Sequence, residues 1–159
     1  MDTGFPIRVG ILIGSPSDRP IADKVAQTLG SLGVGSEVKV LSAHRTPDRV
    51  VAYIRKAEAA GVQVFVACAG MAAHLAGVVA AHTLRPVIGV PVASGVLAGV
   101  DALLATVQMP PGIPVATVAI DGGRNAAVLA ARILALHDPK VRQALADALA
   151  EDQARYDQP

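Results

Sequence analysis

The chain has 159 residues, 52% of them hydrophobic and 17% charged, with a formal net charge of +1. That length supports one hydrophobic core and is short for two domains of ordinary size. With no basic cluster, no Trp, two Tyr and two Phe, the composition argues against a nucleic-acid partner, and the single cysteine excludes an intrachain disulfide framework.

Ile7 to Ile13, IRVGILI, is an apolar, β-branched run closed by GSPSD, which predicts a buried strand followed by a turn. Pro20 then opens a helical pattern carrying Ile21, Val25, Leu29 and Leu32 and ending near Gly33. SEVKVLS alternates Val38 and Val40 with Glu37 and Lys39, the signature of a half-exposed second strand. After it, Thr46 is placed to cap a helix with Pro47 at its first position and Val50, Val51, Ile54 and Ala57 on its apolar face.

The alternation continues with VQVFVAC as a third strand, AAHLAGVVAAHT as a helix of small residues and PVIGVPV as a fourth strand. Residues 97–108 read as a helix, IPVATVAI as a fifth strand and 125–136 as an Ala-rich helix. A last helix starts at Asp138-Pro139, with Val141, Leu145 and Leu149 on one stripe. Five strands alternating with helices predict one α/β domain over residues 7–155, a parallel sheet covered on both faces, with 1–6 and 156–159 as flexible termini.

The longest apolar stretch is broken by Arg85, Pro86, Pro91 and Asp101, and the N-terminus shows no charged segment followed by an apolar one. The expectation is a soluble, cytoplasmic protein with no membrane contact and a small-molecule partner. The apolar share exceeds what a monomer of this size needs at its surface, which points to subunit interfaces.

In open α/β sheets ligands lie beyond the carboxyl ends of the strands. With strand order 2-1-3-4-5, the loops GSPSD, SAHRT and AGMAAH meet in one crevice. Ser15, Ser17 and Asp18 in the first offer hydroxyls, a carboxylate and backbone N–H groups; alternatively Ser17 or Asp18 simply caps the helix. In the second, Arg45 has the fork geometry that suits a phosphate, and His44 is of the one residue type that ordinarily gives and takes protons near neutral pH. A loop histidine bonded only to backbone is the competing reading of His44. In the third, Gly70, Met71, Ala72 and Ala73 let a ligand approach the backbone, with Met71 either covering a ring or filling core. His74, His82 and His137 read as structural, Cys68 as an inert buried thiol, and Asp101 as a first-turn helix residue. The rigid segment around Gln108 and Met109 is placed to wall a pocket.

GSPSD, SAHRTPD, AGMAAHLAG, RPVIGVPV and VQMPPGIPVATVAI, followed by NAAVLAARILAL, together resemble the catalytic subunit family of phosphoribosylaminoimidazole carboxylase, class I. More narrowly they are similar to its N5-carboxyaminoimidazole ribonucleotide mutase branch, over a span from about Arg8 to Asp138. The resemblance implies a flavodoxin-like three-layer α/β/α sandwich with a five-stranded parallel sheet and a C-terminal helix reaching a neighbour in a homo-octamer, with sites formed between subunits. It implies an isomerase of purine biosynthesis that moves a carboxylate from the exocyclic nitrogen of an aminoimidazole ribonucleotide to ring carbon C4. His44 would be the acid/base catalyst, Ser15, Asp18 and Arg45 would bind the ribonucleotide, and Gly70, Ala72, Ala73, His74 and Leu75 would line the base and the migrating CO2. Ser17, Ser42, Ala43, Ala69 and Met71 complete the expected substrate-binding set.

No metal or organic cofactor is implied, and a functional link to an ATP-dependent N5-carboxylating synthetase is. The chain departs from the family pattern at Met71, commonly glycine, and Ala76, commonly proline. The direct-carboxylase branch carries an AGRSN-type third loop, which does not occur here. Direct carboxylation by CO2 and a non-catalytic nucleotide-binding α/β module are the rival readings; the adjacent His44 and Arg45 favour an enzyme.

Overall fold

Side-chain direction along the first strand decides the layering. In β1 (Ile7–Ile13) Val9, Ile11 and Ile13 enter one apolar cluster and Leu12 enters another. In β3 (Val64–Gly70) Val64, Val66 and Cys68 join the first cluster, Phe65 and Ala67 the second. A strand apolar on both sides must be covered on both sides, which is the condition of a parallel sheet. The computed structural model describes residues 4–156. Residues 1–3 and 157–159 of the expected flexible termini lie outside the described residues.

The sheet adds β2 (Gly35–Val40), β4 (Val87–Val92) and β5 (Ala116–Thr117), all parallel, in the order β2-β1-β3-β4-β5. The first cluster is closed by α1 (Arg19–Ser31), α5 (Gly123–Leu134) and α6 (Pro139–Ala154), the second by α2 (Pro47–Ala59) and α3 (Leu75–Ala81). On the second face Gly89 makes room for α4 (Val100–Val107), because a Cβ there would run into Thr106. Register sets Ile13 opposite both Val40 and Cys68, and Gly70 opposite Val92. The first four strands therefore release their loops at one edge, as the flavodoxin-like order requires.

Several elements differ from expectation. The helix expected over 97–108 starts only at Val100, because Gly95, Ala98 and Gly99 hold φ at 62, 47 and 90°, where no right-handed helix continues. The fifth strand shrinks to two residues, since Pro114 brings no N–H donor at its entry. The small-residue helix begins at Leu75, because Met71 at φ 54° and the Ala73 N–H bond to Met71 O form a turn first. Thr46 makes no side-chain cap; its hydroxyl donates to Ser42 O at 3.1 Å and accepts from Ser42 N–H at 3.0 Å, closing the loop instead. Along α6 the expected stripe packs only in part: Val141 is buried, whereas Leu149 is half exposed.

The last helix starts at Asp138-Pro139 as expected, and Asp138 caps it, accepting from Lys140 and Val141 N–H groups, while Arg8 donates to Asp138 at 2.6 Å from the start of β1. Cys68 is fully buried, and burial, with the Asp18 carboxylate adding to it, pushes its thiol up to about 12. Asp101 lies in the first turn of α4. Among the described residues no helix is long and apolar enough to cross a membrane.

Candidate active site

The first loop is a short 3-10 turn, Pro16–Asp18, locked by a reciprocal cap. Ser15 Oγ accepts from Ser17 N–H at 3.4 Å, and Asp18 Oδ2 accepts from Ser15 N–H at 3.1 Å. Ser17 Oγ donates to Ser15 Oγ at 2.9 Å. Neither Ser17 nor Asp18 caps α1 with its side chain; Ser15 and Asp18 together cap the turn before it. Asp18 is buried, and desolvation raises its carboxyl above the ordinary carboxylate value, partly offset by the Ser15 N–H, the Ser17 hydroxyl and the Arg45 charge.

The second loop is fastened to the first by its own cation. Arg45 Nη2 donates to Gly14 O at 3.1 Å, and Arg45 Nε to Ser42 Oγ at 3.4 Å. These two bonds leave the Nη1 hydrogens of the guanidinium without a partner among the described residues, so it retains donors for an anion. Beside it His44, exposed on the Ser42–Thr46 corner, reaches the third loop: His44 Nε2 lies 2.8 Å from His74 Nδ1, with the rings at 88°.

These loops enclose a cavity of about 280 Å³ lined by Ser15, Ser17, Asp18, Ser42, Ala43, His44, Arg45, Ala69, Gly70, Met71, Ala72 and Leu75. The two other predicted residues stand apart from that lining. Ala73 is buried, and His74 meets the His44 ring. His74, read from the sequence as structural, has a polar partner in His44, on a loop 30 residues away. The segment at Gln108 and Met109 does not wall this cavity; Met109 lies against Gly77 instead.

Two lining residues lie outside the expected set, Gly14 of the first loop and Ser94. Ser94, at the end of β4, completes the wall beside Gly70. Its loop is pinned where Ala93 N–H donates to Asp121 Oδ1 at 2.9 Å. The rule that ligands gather at strand carboxyl ends would have pointed to it, but a lone serine after a strand carries no motif.

The arrangement supplies anion donors, a buried carboxylate for hydroxyl groups, an imidazole at the rim and a wall of small residues. A family model described as AIR carboxylase matches residues 8–155. The N5-carboxyaminoimidazole ribonucleotide mutase of Pyrococcus abyssi is 54% identical over 142 residues, covering 89% of this chain and 81% of that protein. The protein of the same name from Escherichia coli strain K12 is 52% identical over 144 residues, covering 89% and 85%. The crystal structure of Treponema denticola PurE superimposes with a TM-score of 0.87 at 32% identity, covering 93% of this chain and 92% of that one.

Proposed function

The chain belongs to the AIR carboxylase family, and from that premise we infer that it is an N5-carboxyaminoimidazole ribonucleotide mutase, an isomerase of purine biosynthesis acting through residues 7–155 as one domain. The observation that carries the reading to chemistry is the convergence of His44, Arg45 and the Ser15–Asp18 turn on one cavity. Arg45 has Nη1 donors free for the substrate phosphate, and Asp18 and the serines suit ribose or phosphate oxygens. Ser42, Ala43, Ala69, Gly70, Met71, Ala72 and Leu75 shape the space for the base and CO2.

The reaction needs one proton delivered and one removed. His44 gives a proton to the exocyclic nitrogen as its bond to the carboxylate carbon breaks, releasing CO2 within the cavity. Ring carbon C4 then attacks CO2 to form the new C–C bond, and His44 takes the C4 proton as the ring regains aromaticity. The proton count closes, so an isomerase can run on this one group. Positioned acid/base transfer of this kind contributes about 10² to 10⁴ in rate, and confining CO2 next to C4 adds a proximity advantage.

The test is conversion of N5-carboxyaminoimidazole ribonucleotide without ATP, set against aminoimidazole ribonucleotide plus bicarbonate. Wild type is expected to use the first far better, and His44→Asn to lose activity by at least about a hundredfold. Preference for the second substrate pair, or near wild-type turnover by His44→Asn, would sink the assignment.

A cytoplasmic homo-octamer that receives its substrate from an ATP-dependent N5-carboxylating synthetase completes the proposal. Val96, Leu97, Val100, Leu104 and Val107 stand half or fully exposed on and before α4, which supports burial of that face between subunits. Light scattering is expected to give a mass of eight subunits.

A further inference from the structure

Four strand ends feed the cavity, and the fourth contributes Ser94 alone. The Ser94 hydroxyl oxygen is shielded from solvent and has no hydrogen-bond partner among the described residues. Buried hydroxyls without partners are unfavourable, and each one kept in a folded protein calls for a reason. This one is held in place with some care. On one side the exit of β4 is clamped, Ala93 N–H donating to Asp121 Oδ1 at 2.9 Å and Asp121 N–H to Pro91 O at 2.8 Å. On the other, Gly70 leaves the room: a Cβ there would run into Ser94 Oγ and come within 3.1 Å of Val92 O. Gly95, at φ 62°, turns the chain away directly afterwards.

We propose that Ser94 is a substrate-binding residue whose hydroxyl donates a hydrogen bond to an oxygen of the migrating carboxylate, and to the same oxygen while the group is detached as CO2. The inference rests on the mutase reading above. Its ground is position. Ser94 abuts Gly70 in the small-residue wall that also includes Ala69, Met71 and Ala72. CO2 carries no net charge for Arg45 to hold, and an apolar wall gives it no direction. A single fixed donor sets one oxygen and so aims the carbon at C4. A hydroxyl with no partner among the described residues is free to serve.

The experiment follows the carbon. Substrate labelled with ¹³C in its carboxylate is turned over in buffer containing unlabelled bicarbonate, and label in the product is read by mass spectrometry for wild type and Ser94→Ala. Wild type is expected to carry the label through. Ser94→Ala is expected to lose label to the bulk pool and to fall about tenfold to a hundredfold in kcat/KM, the loss typical of a hydrogen bond to a charged group. The melting temperature of the protein alone should not drop, because truncating a partnerless hydroxyl strands nothing.

Unchanged label retention in Ser94→Ala overturns the proposal, whatever happens to the rate, and so does a melting temperature lowered by several degrees, which marks a structural role. Should the alanine variant fail to fold, Ser94→Cys keeps the size with a weaker donor and is expected to leak label in the same way; full retention there overturns the proposal. A wild type that does not isomerise the substrate overturns the mutase reading and this inference with it. An active wild type beside an unaltered Ser94→Ala overturns this inference alone.

Discussion

His44 Nε2 and His74 Nδ1 share one hydrogen across 2.8 Å, with ring centroids 4.9 Å apart and the planes nearly perpendicular. Only one of the two facing nitrogens can carry the hydrogen, so the tautomer of one ring fixes that of the other. His74 thereby sets the orientation of His44 without lining the cavity itself. His74→Ala is expected to lower kcat about tenfold or more, with KM within about twofold, because His44, proposed above as the proton carrier, loses its aim while the proposed binding groups stay. Steady-state kinetics on the N5-carboxylated ribonucleotide decide it; equal losses in kcat/KM through KM alone would assign His74 to binding.

Met71 occupies φ 54°, a region that costs a residue with a Cβ about 1–2 kcal/mol. Met71→Gly removes that penalty but loosens the unfolded chain, so the two effects largely cancel and stability should stay within about 1 kcal/mol of wild type. Met71→Val, β-branched at the same φ, should lose about 1–2 kcal/mol. Urea midpoints at constant m-value separate the two; equal midpoints for the glycine and valine variants would show that the turn yields.

The Arg8 bond, followed by the N–H groups of Val141 and Lys140, holds the Asp138 carboxyl below its ordinary value of 3.8. With the folded value below the unfolded one, the folded state binds fewer protons in that window. Its stabilising contribution is complete above 3.8 and disappears as the pH falls through the folded value. Asp138→Asn keeps a capping oxygen and loses the charge. Wild type should melt above this variant at pH 7, and the gap should close as the pH falls well below 3.8. A gap independent of pH would assign the effect to packing.

Cys68, buried in β3 with its thiol pushed up to about 12, presents almost no thiolate near neutrality. Iodoacetamide at pH 8 should leave the native protein unmodified and label it once in urea, as intact mass would record. Rapid labelling of the native protein would mean that the sheet opens locally at β3.

The sequence disclosed what depends on local burial and withheld what depends on distant partners. IRVGILI and VQVFVAC announce central strands because both faces are apolar, and their order follows from the helices between them. The cavity residues of the first two loops were legible because hydroxyls, a carboxylate, an imidazole and a guanidinium are conspicuous in a chain this poor in charge. Other features were not legible. His74 gains its meaning from His44, across 30 residues, and no period in the sequence registers that distance. Thr46 resembled a helix cap by type, yet the Ser42 backbone offered both a donor and an acceptor and won the hydroxyl. The start of α4 is delayed by Ala98 at φ 47°, a conformation that alanine does not advertise.

The shortness of β5 bears on whether this sheet can lengthen by pairing with another molecule. A sheet extends wherever its outermost strand shows a long row of unpaired N–H and C=O groups to another molecule. Here one border is only Ala116–Thr117, with Pro114 just before it supplying no donor. The opposite border, β2, carries Glu37 and Lys39, which pair with each other at 2.9 Å and bring charge to any strand laid alongside. Both borders thus make poor templates for open-ended polymerisation, whatever the apolar surface elsewhere meets.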